Sequence, residues 1–146
     1  MIKFVSDAGL KLIKEHEGLR LASYLCPGKK WTIGYGHTLT ARAGQTISKE
    51  RAEQLLANDI VRAEACVRRQ GVDLTQPMFD ALVSFVFNMG GANFTASTML
   101  RHLKSRQWSR AAAEFPKWVW ADDKISNGLS RRRHDEQQLF LSGIPS

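Results

Sequence analysis

The run MFDALVSFVFNMGG, residues 78–91, constrains the fold more than any other part of the chain. A helix with one apolar stripe can lie on a surface, but one that is apolar almost all round must be surrounded by protein. Thr75 stands where an N-cap belongs, and Pro77 falls in the first turn, where its missing N–H costs nothing. The remaining elements are therefore expected to pack around this central helix. Ser84 and Asn88 are its polar exceptions, four residues apart and so on one face. A chain of 146 residues, 43% hydrophobic and 9% aromatic, suits one domain with such a core and excludes general disorder.

The flanking pattern predicts the rest. Ser6 or Asp7 caps a first helix with Leu10, Leu12 and Ile13 as its apolar face, and Gly18 ends it. From residue 19 to 47 the helical period is lost. Glycines punctuate this stretch and WTIGYGHT alternates as a strand does, which predicts a small antiparallel β lobe. Ser48 caps a long connecting helix over about 49–70, with Ala52, Leu56, Ile60, Ala63 and Val67 at helical spacing. Shorter helices are expected at about 97–105, 110–120 and 130–141, with ADDKISNG as a loop before the last. The fold class is α+β and mostly helical: a β lobe at 19–47, a helical lobe from 1–18 and 72–146, and a cleft between them.

The formal charge of +7 and a sequence pI near 9.8 point to an anionic partner: nucleic acid, an anionic membrane surface or an acidic polymer. Cys26 and Cys66 are too few for a disulfide framework and read as free thiols made in a reducing compartment. No run approaches the ~20 apolar residues of a membrane span, and no export segment is evident at the start. The scattered histidines and two cysteines lack ligand spacing, so neither metal nor cofactor is expected. SRRRH reads as a solvated helix face, for Arg133 at least, and RAEACVRR as surface charge on the long helix.

Chemistry concentrates in EHEGLRLASYLCPGKKWTIGYGHT, residues 15–38. Glu17 falls in the last turn of a helix, where the dipole and partial burial both favour its protonated form. A carboxylic acid that keeps its proton near neutral pH is what glycoside cleavage requires. Taken alone, Glu17 reads more readily as an exposed helix-terminal glutamate. Cys26 is a base or nucleophile if its thiol is acidified, and Lys29 and Lys30 are near enough in sequence to do that; otherwise it is a small apolar turn residue. Thr32 is a strand former or a water ligand. A lone histidine such as His37 more often bridges structure than acts as a base.

These residues resemble the active-site segment of phage-type lysozymes, the endolysins of glycoside hydrolase family 24. The spacing of Glu17, Cys26 and Thr32 matches that family's Glu, Asp or Cys, and Thr. TIGYGHT, QPMFDALVSFVFNMG and SRRRHDEQQLFLSG are similar to its strand, central helix and last helix, in order and over nearly the whole chain. The resemblance implies hydrolysis of the β-1,4 bond between N-acetylmuramic acid and N-acetylglucosamine of peptidoglycan. Glu17 would be the general acid, with Cys26 and Thr32 positioning the water for inversion. It places Ser84, Asn88 and His37 with the substrate, and pairs Arg132, or Arg131, with Glu17. It also implies a monomer without cofactor that gathers in the host cytoplasm and is released by a separate holin-like permeabilising protein. Cys26 departs from the commoner Asp and leaves open a lytic transglycosylase or a non-catalytic cell-wall binder. A nucleic-acid binder is disfavoured, because the aromatics do not interleave with the basic cluster.

Overall fold

The computed structural model describes residues 3–146. Among them, seven α-helices, one 3-10 turn and two small antiparallel hairpins form a mostly helical α+β fold. Helix α1 (Asp7–Glu17) is capped by Ser6, whose hydroxyl accepts the Gly9 N–H, and Gly18 ends it with its N–H on the Lys14 carbonyl. The chain then forms β1 (Arg20–Leu25) and β2 (Trp31–Gly34), paired antiparallel with Tyr24 opposite Thr32. A third leg returns beside β1, where Ser23 N–H donates to the Gln45 carbonyl at 2.8 Å and Ile47 N–H to the Leu21 carbonyl at 2.9 Å.

Ser48 caps α2 (Lys49–Arg68), accepting the Arg51 N–H at 3.1 Å. All five apolar positions expected on its inner face are buried. Next comes α3 (Gln76–Met89), in which every residue from Met78 to Val86 is buried. Phe85 makes edge contacts to Phe94, Phe115 and Trp118 at centroid distances of 6.3, 5.9 and 5.5 Å. Such a fully buried phenylalanine contributes about 2–3 kcal/mol through apolar burial, with about 1 kcal/mol more from favourable ring geometry.

The sequence reading passed over Asp80, in the middle of the apolar run. Its carboxylate is buried and accepts the Ser6 N–H at 2.9 Å, the Ser6 hydroxyl, and the Gln76 side-chain amide at 2.8 Å. A carboxylate at the start of α1 also meets the positive end of that helix dipole. Gly9 permits the approach, since a Cβ there would lie 2.9 Å from the Asp80 Cβ. This contact seats one end of α1 on α3 and so aims its other end, at Glu17. Thr75 holds the N-cap position of α3 without capping it. Its hydroxyl instead donates to the Gly143 carbonyl at 2.8 Å, satisfying the exposed end of the last helix.

The C-terminal third departs most from expectation. Helix α4 (Gly91–Thr95) precedes α5 (Thr98–Lys104) and was not foreseen. The helix expected at 110–120 is shorter, α6 (Trp108–Ala112) followed by a 3-10 turn at Phe115–Lys117. Pro116 lacks the N–H that a continuing α-helix needs. The expected loop is a hairpin, β3 (Trp120–Ala121) with β4 (Lys124–Ile125), turned by Asp122 and Asp123 at φ 50° and 63°. Two consecutive left-handed residues make the primed turn that matches strand twist, and aspartate tolerates that region better than most residues. Ser126 caps the last helix, α7 (Asn127–Ser142), three residues earlier than anticipated.

Candidate active site

The β lobe, α2 and the end of α3 enclose an open cleft of about 790 Å³. Glu17, Cys26 and Thr32 all line it, from both sides. Glu17 leaves the last turn of α1 with its side chain 18% exposed, and its Oε2 meets Arg132 Nη1 of α7 at 2.6 Å. Arg132, not the exposed Arg131, is therefore its partner. The other carboxylate oxygen rests against Gly36. That residue has φ +79°, and a Cβ on it would stand 2.5 Å from Glu17 Oε1. Glu17 is thus clasped between a cation of the helical lobe and a bare backbone of the β lobe.

Across the cleft, a tight turn returns Cys26 to β2. The Cys26 N–H donates to the Lys30 carbonyl at 3.0 Å, and the Lys29 N–H donates to the Cys26 carbonyl at 2.8 Å. The thiol is held below its ordinary range, first by the Lys30 backbone N–H and then by the Thr32 hydroxyl, with burial pulling the other way. The lysine charges that the sequence suggested are not the cause; a backbone donor is. Thr32 is buried on β2, and its hydroxyl also donates to the Lys30 carbonyl at 3.1 Å. A hydroxyl has a single hydrogen, so Thr32 can turn it toward the thiol or the carbonyl while accepting from a third group.

Two residues expected at the substrate lie elsewhere. Ser84 is wholly buried beneath the cleft, where its hydroxyl donates to Glu136 Oε2 at 2.5 Å and lies 3.4 Å from Arg132 Nε. It supports Arg132 and does not reach a sugar. One turn toward the helix end, its face neighbour Asn88 does line the cleft, and its Oδ1 has no partner among the described residues. His37 is also buried. Its Nδ1 lies 2.8 Å from Asp59 Oδ2, while Nε2 lies 2.7 Å from the Thr40 hydroxyl and accepts the Thr40 N–H at 3.2 Å. With Nε2 an acceptor, Nδ1 carries the hydrogen; Nδ1 ties this segment to α2 through Asp59, and Nε2 is spent within the β lobe on Thr40.

Arg133 corrects a further expectation, for it is fully buried instead of solvated. Its guanidinium lies over the Phe85 ring at 5.0 Å, and its Nε is 2.7 Å from Glu136 Oε1. Desolvation lowers its proton affinity, and Glu136 opposes that loss. The arginine run spans all environments on one helix, because each step rotates the side chain by about 100°. The sequence reading also missed Arg62, Cys66 and Arg69, which line the cleft from α2. Their spacing of four and then three residues puts them on one stripe, a signal present in RAEACVRR.

A phage lysozyme family model matches residues 14–136. The chain is 44% identical to an endolysin of Acyrthosiphon pisum secondary endosymbiont phage 1, covering 94% of this chain and 98% of that one. It is 43% identical to an endolysin of Bacillus phage B103 over 95% of this chain, but spans only 54% of that longer protein. Its structure is similar to the muramidase domain of SpmX from Asticaccaulis excentricus, with a TM-score of 0.88, 38% identity, and 94% and 97% of the two chains covered. It is also similar to the active form of P1 phage endolysin Lyz, with a TM-score of 0.87, 27% identity, and 97% and 87% covered. The secreted inactive form of Lyz matches with a TM-score of 0.67, with the same 27% identity and with 98% and 99% covered.

Proposed function

Because the chain belongs to the phage lysozyme family, and so to the glycoside hydrolases that lyse cell walls, we propose that it cleaves the β-1,4 bond between N-acetylmuramic acid and N-acetylglucosamine of peptidoglycan as an endolysin. The reading rests on one observation: Glu17 faces Cys26 and Thr32 across a cleft that all three line. Glu17 donates its proton to the glycosidic oxygen, and Arg132 holds its carboxyl in place. Water sits against the Thr32 hydroxyl and the Cys26 sulfur and attacks the anomeric carbon from the opposite face. The water's proton leaves to solvent, or to Cys26 where that sulfur is ionised, while Glu17 regains a proton from solvent. The carboxyl comes from the helical lobe and the water from the β lobe, an arrangement that supports inversion. Asn88 lines the cleft where the glycan lies in this reading.

Glu17→Gln keeps the shape of the site and removes the proton donor. Its kcat on purified peptidoglycan falls by about 10³-fold or more while glycan binding persists; near-normal turnover overturns the assignment. Mass spectrometry of the products separates hydrolysis, which leaves a reducing muramic end, from transglycosylation, which leaves a 1,6-anhydro end. The anomer first released, read by NMR, separates inversion from retention. The basic surface gathers the enzyme at an anionic wall. No helix among the described residues is long and apolar enough to cross a membrane. Accumulation in the host cytoplasm, release by a separate permeabilising protein and action as a monomer belong to this proposal.

A further inference from the structure

Behind Glu17 and Arg132 lies a pair of buried charges, Glu136 and Arg133, that the reaction just described does not use. From the cleft inward the order is Glu17, Arg132, Glu136, Arg133, alternating in sign. Arg132 Nη1 is 2.6 Å from Glu17 Oε2, and its Nε is 3.3 Å from Glu136 Oε2. Arg133 closes on the same carboxylate, with Nε 2.7 Å from Oε1 and Nη2 3.1 Å from Oε2. Glu136 and Arg133 have no solvent exposure, and Arg132 has 4%.

Charge in such a place is costly unless compensated, and the whole line is neutral only when Glu17 is ionised. Protonating Glu17 leaves one net positive charge inside the protein. The charge on Glu136 limits how strongly Arg132 holds on to the ionised acid, and Arg133 limits Glu136 in turn. We infer that Glu136 is a positioning residue that sets the proton affinity of Glu17 through Arg132, with Arg133 as its counterweight.

Among the described residues, no other ionisable group has that position. Toward Glu136, α3 presents only the Ser84 hydroxyl, and α7 presents Arg132 and Arg133. On α1, His16 is bound to Asp135 at 2.8 Å and Lys14 to Glu53 at 2.7 Å. Lys117 of the 3-10 turn is engaged by Glu114 at 2.6 Å, and Arg110 of α6 lies 3.4 Å from the Gln107 side chain. On the cleft side, Cys26 stands across the cleft from Glu17, and Asp59 of α2 is taken up by His37 at 2.8 Å.

The inference rests on the reading of Glu17 as general acid, and the two are tested separately. Glu17→Gln activity decides that reading. The NMR titration of the Glu17 carboxyl, identified by its loss in Glu17→Gln, decides the coupling. In Glu136→Gln, Glu17 faces two uncompensated arginines, so its titration midpoint falls by about one pH unit. The alkaline limb of kcat/KM falls with it, because the acid loses its proton earlier. In Arg133→Met the midpoint rises by a similar amount. The charge-neutral double variant Glu136→Gln with Arg133→Met returns it to within a few tenths of the parent value. Should Glu136→Gln not fold, the double variant against Arg133→Met still isolates the effect of Glu136 as a downward shift. Midpoints that stay together across the foldable variants, or a double variant no nearer the parent than the singles, overturn the inference. A merely structural role for Glu136 would lower stability without this ordered pattern of shifts.

Discussion

Glu17 owes its position to what touches it on either side, and one of those contacts is an absence of atoms. Gly36 has no Cβ where one would stand 2.5 Å from Glu17 Oε1. Gly36→Ala therefore displaces the carboxyl or strains the turn, since its φ of +79° is unfavourable for alanine. Misplacing a reacting group by about 1 Å costs on the order of 100-fold in rate. The variant is expected to lose that much kcat, and steady-state turnover beside a thermal melt separates the loss from the smaller loss of stability. Cys26 makes the second residue-scale prediction. Its thiol is lowered from 9.0, so below the shifted midpoint it is neutral and slow, and above it the thiolate reacts. The rate of alkylation against pH should rise through a midpoint below 9.0. If lysis rises through the same midpoint, Cys26 is the base; a flat rate there leaves it a holder of water. Ala at position 26 with undiminished activity removes it from the mechanism.

At the scale of elements, α1 is a lever with its pivot at Asp80. That carboxylate gathers Ser6 and Gln76 while facing the positive end of the helix, and the opposite end carries the acid. Removing it strands buried donors, a mechanism that costs about 2–3 kcal/mol when the acceptor is charged. Asp80→Ala should show that loss in urea unfolding, together with a fall in kcat, although position 80 does not line the cleft. Unchanged stability would mean that α1 is held by its apolar face alone. The same scale explains how the helices were read. The single apolar texture of 78–91 and the periodic face of α2 were legible because burial of a helix needs that pattern and little else. Helix α6 and the 120–125 hairpin were not, because each has only a few residues, too short to display a period. Consecutive aspartates were the one local sign of the turn.

Across the whole molecule, the two lobes present different chemistry to one cleft. The β lobe supplies Cys26 and Thr32, while α2 adds Arg62 and Arg69 along the wall. These arginines put part of the net charge of +7 where an anionic polymer would pass. Attraction of that kind is screened by salt over about 10 Å at 0.1 M. Replacing both arginines with glutamine should raise KM on peptidoglycan several-fold and flatten its dependence on salt, with kcat little changed. An unaltered salt profile would place the relevant charge elsewhere on the surface.

The family resemblance carried by their spacing brought Glu17, Cys26 and Thr32 together, and texture alone determined a buried central helix beside a small pleated lobe. The second follows from local rules: helix periods, caps and short turns. Tertiary structure decided which arginine pairs with the acid and that Arg133 is buried. It also decided that Ser84 and His37 serve the scaffold while Asn88 faces the cleft. Those outcomes depend on the rotation of α7 and α3 about their axes and on which groups the opposing element brings within about 3 Å. A linear sequence carries no record of the opposing element, so a buried ion and a solvated one of the same type are written with the same letter.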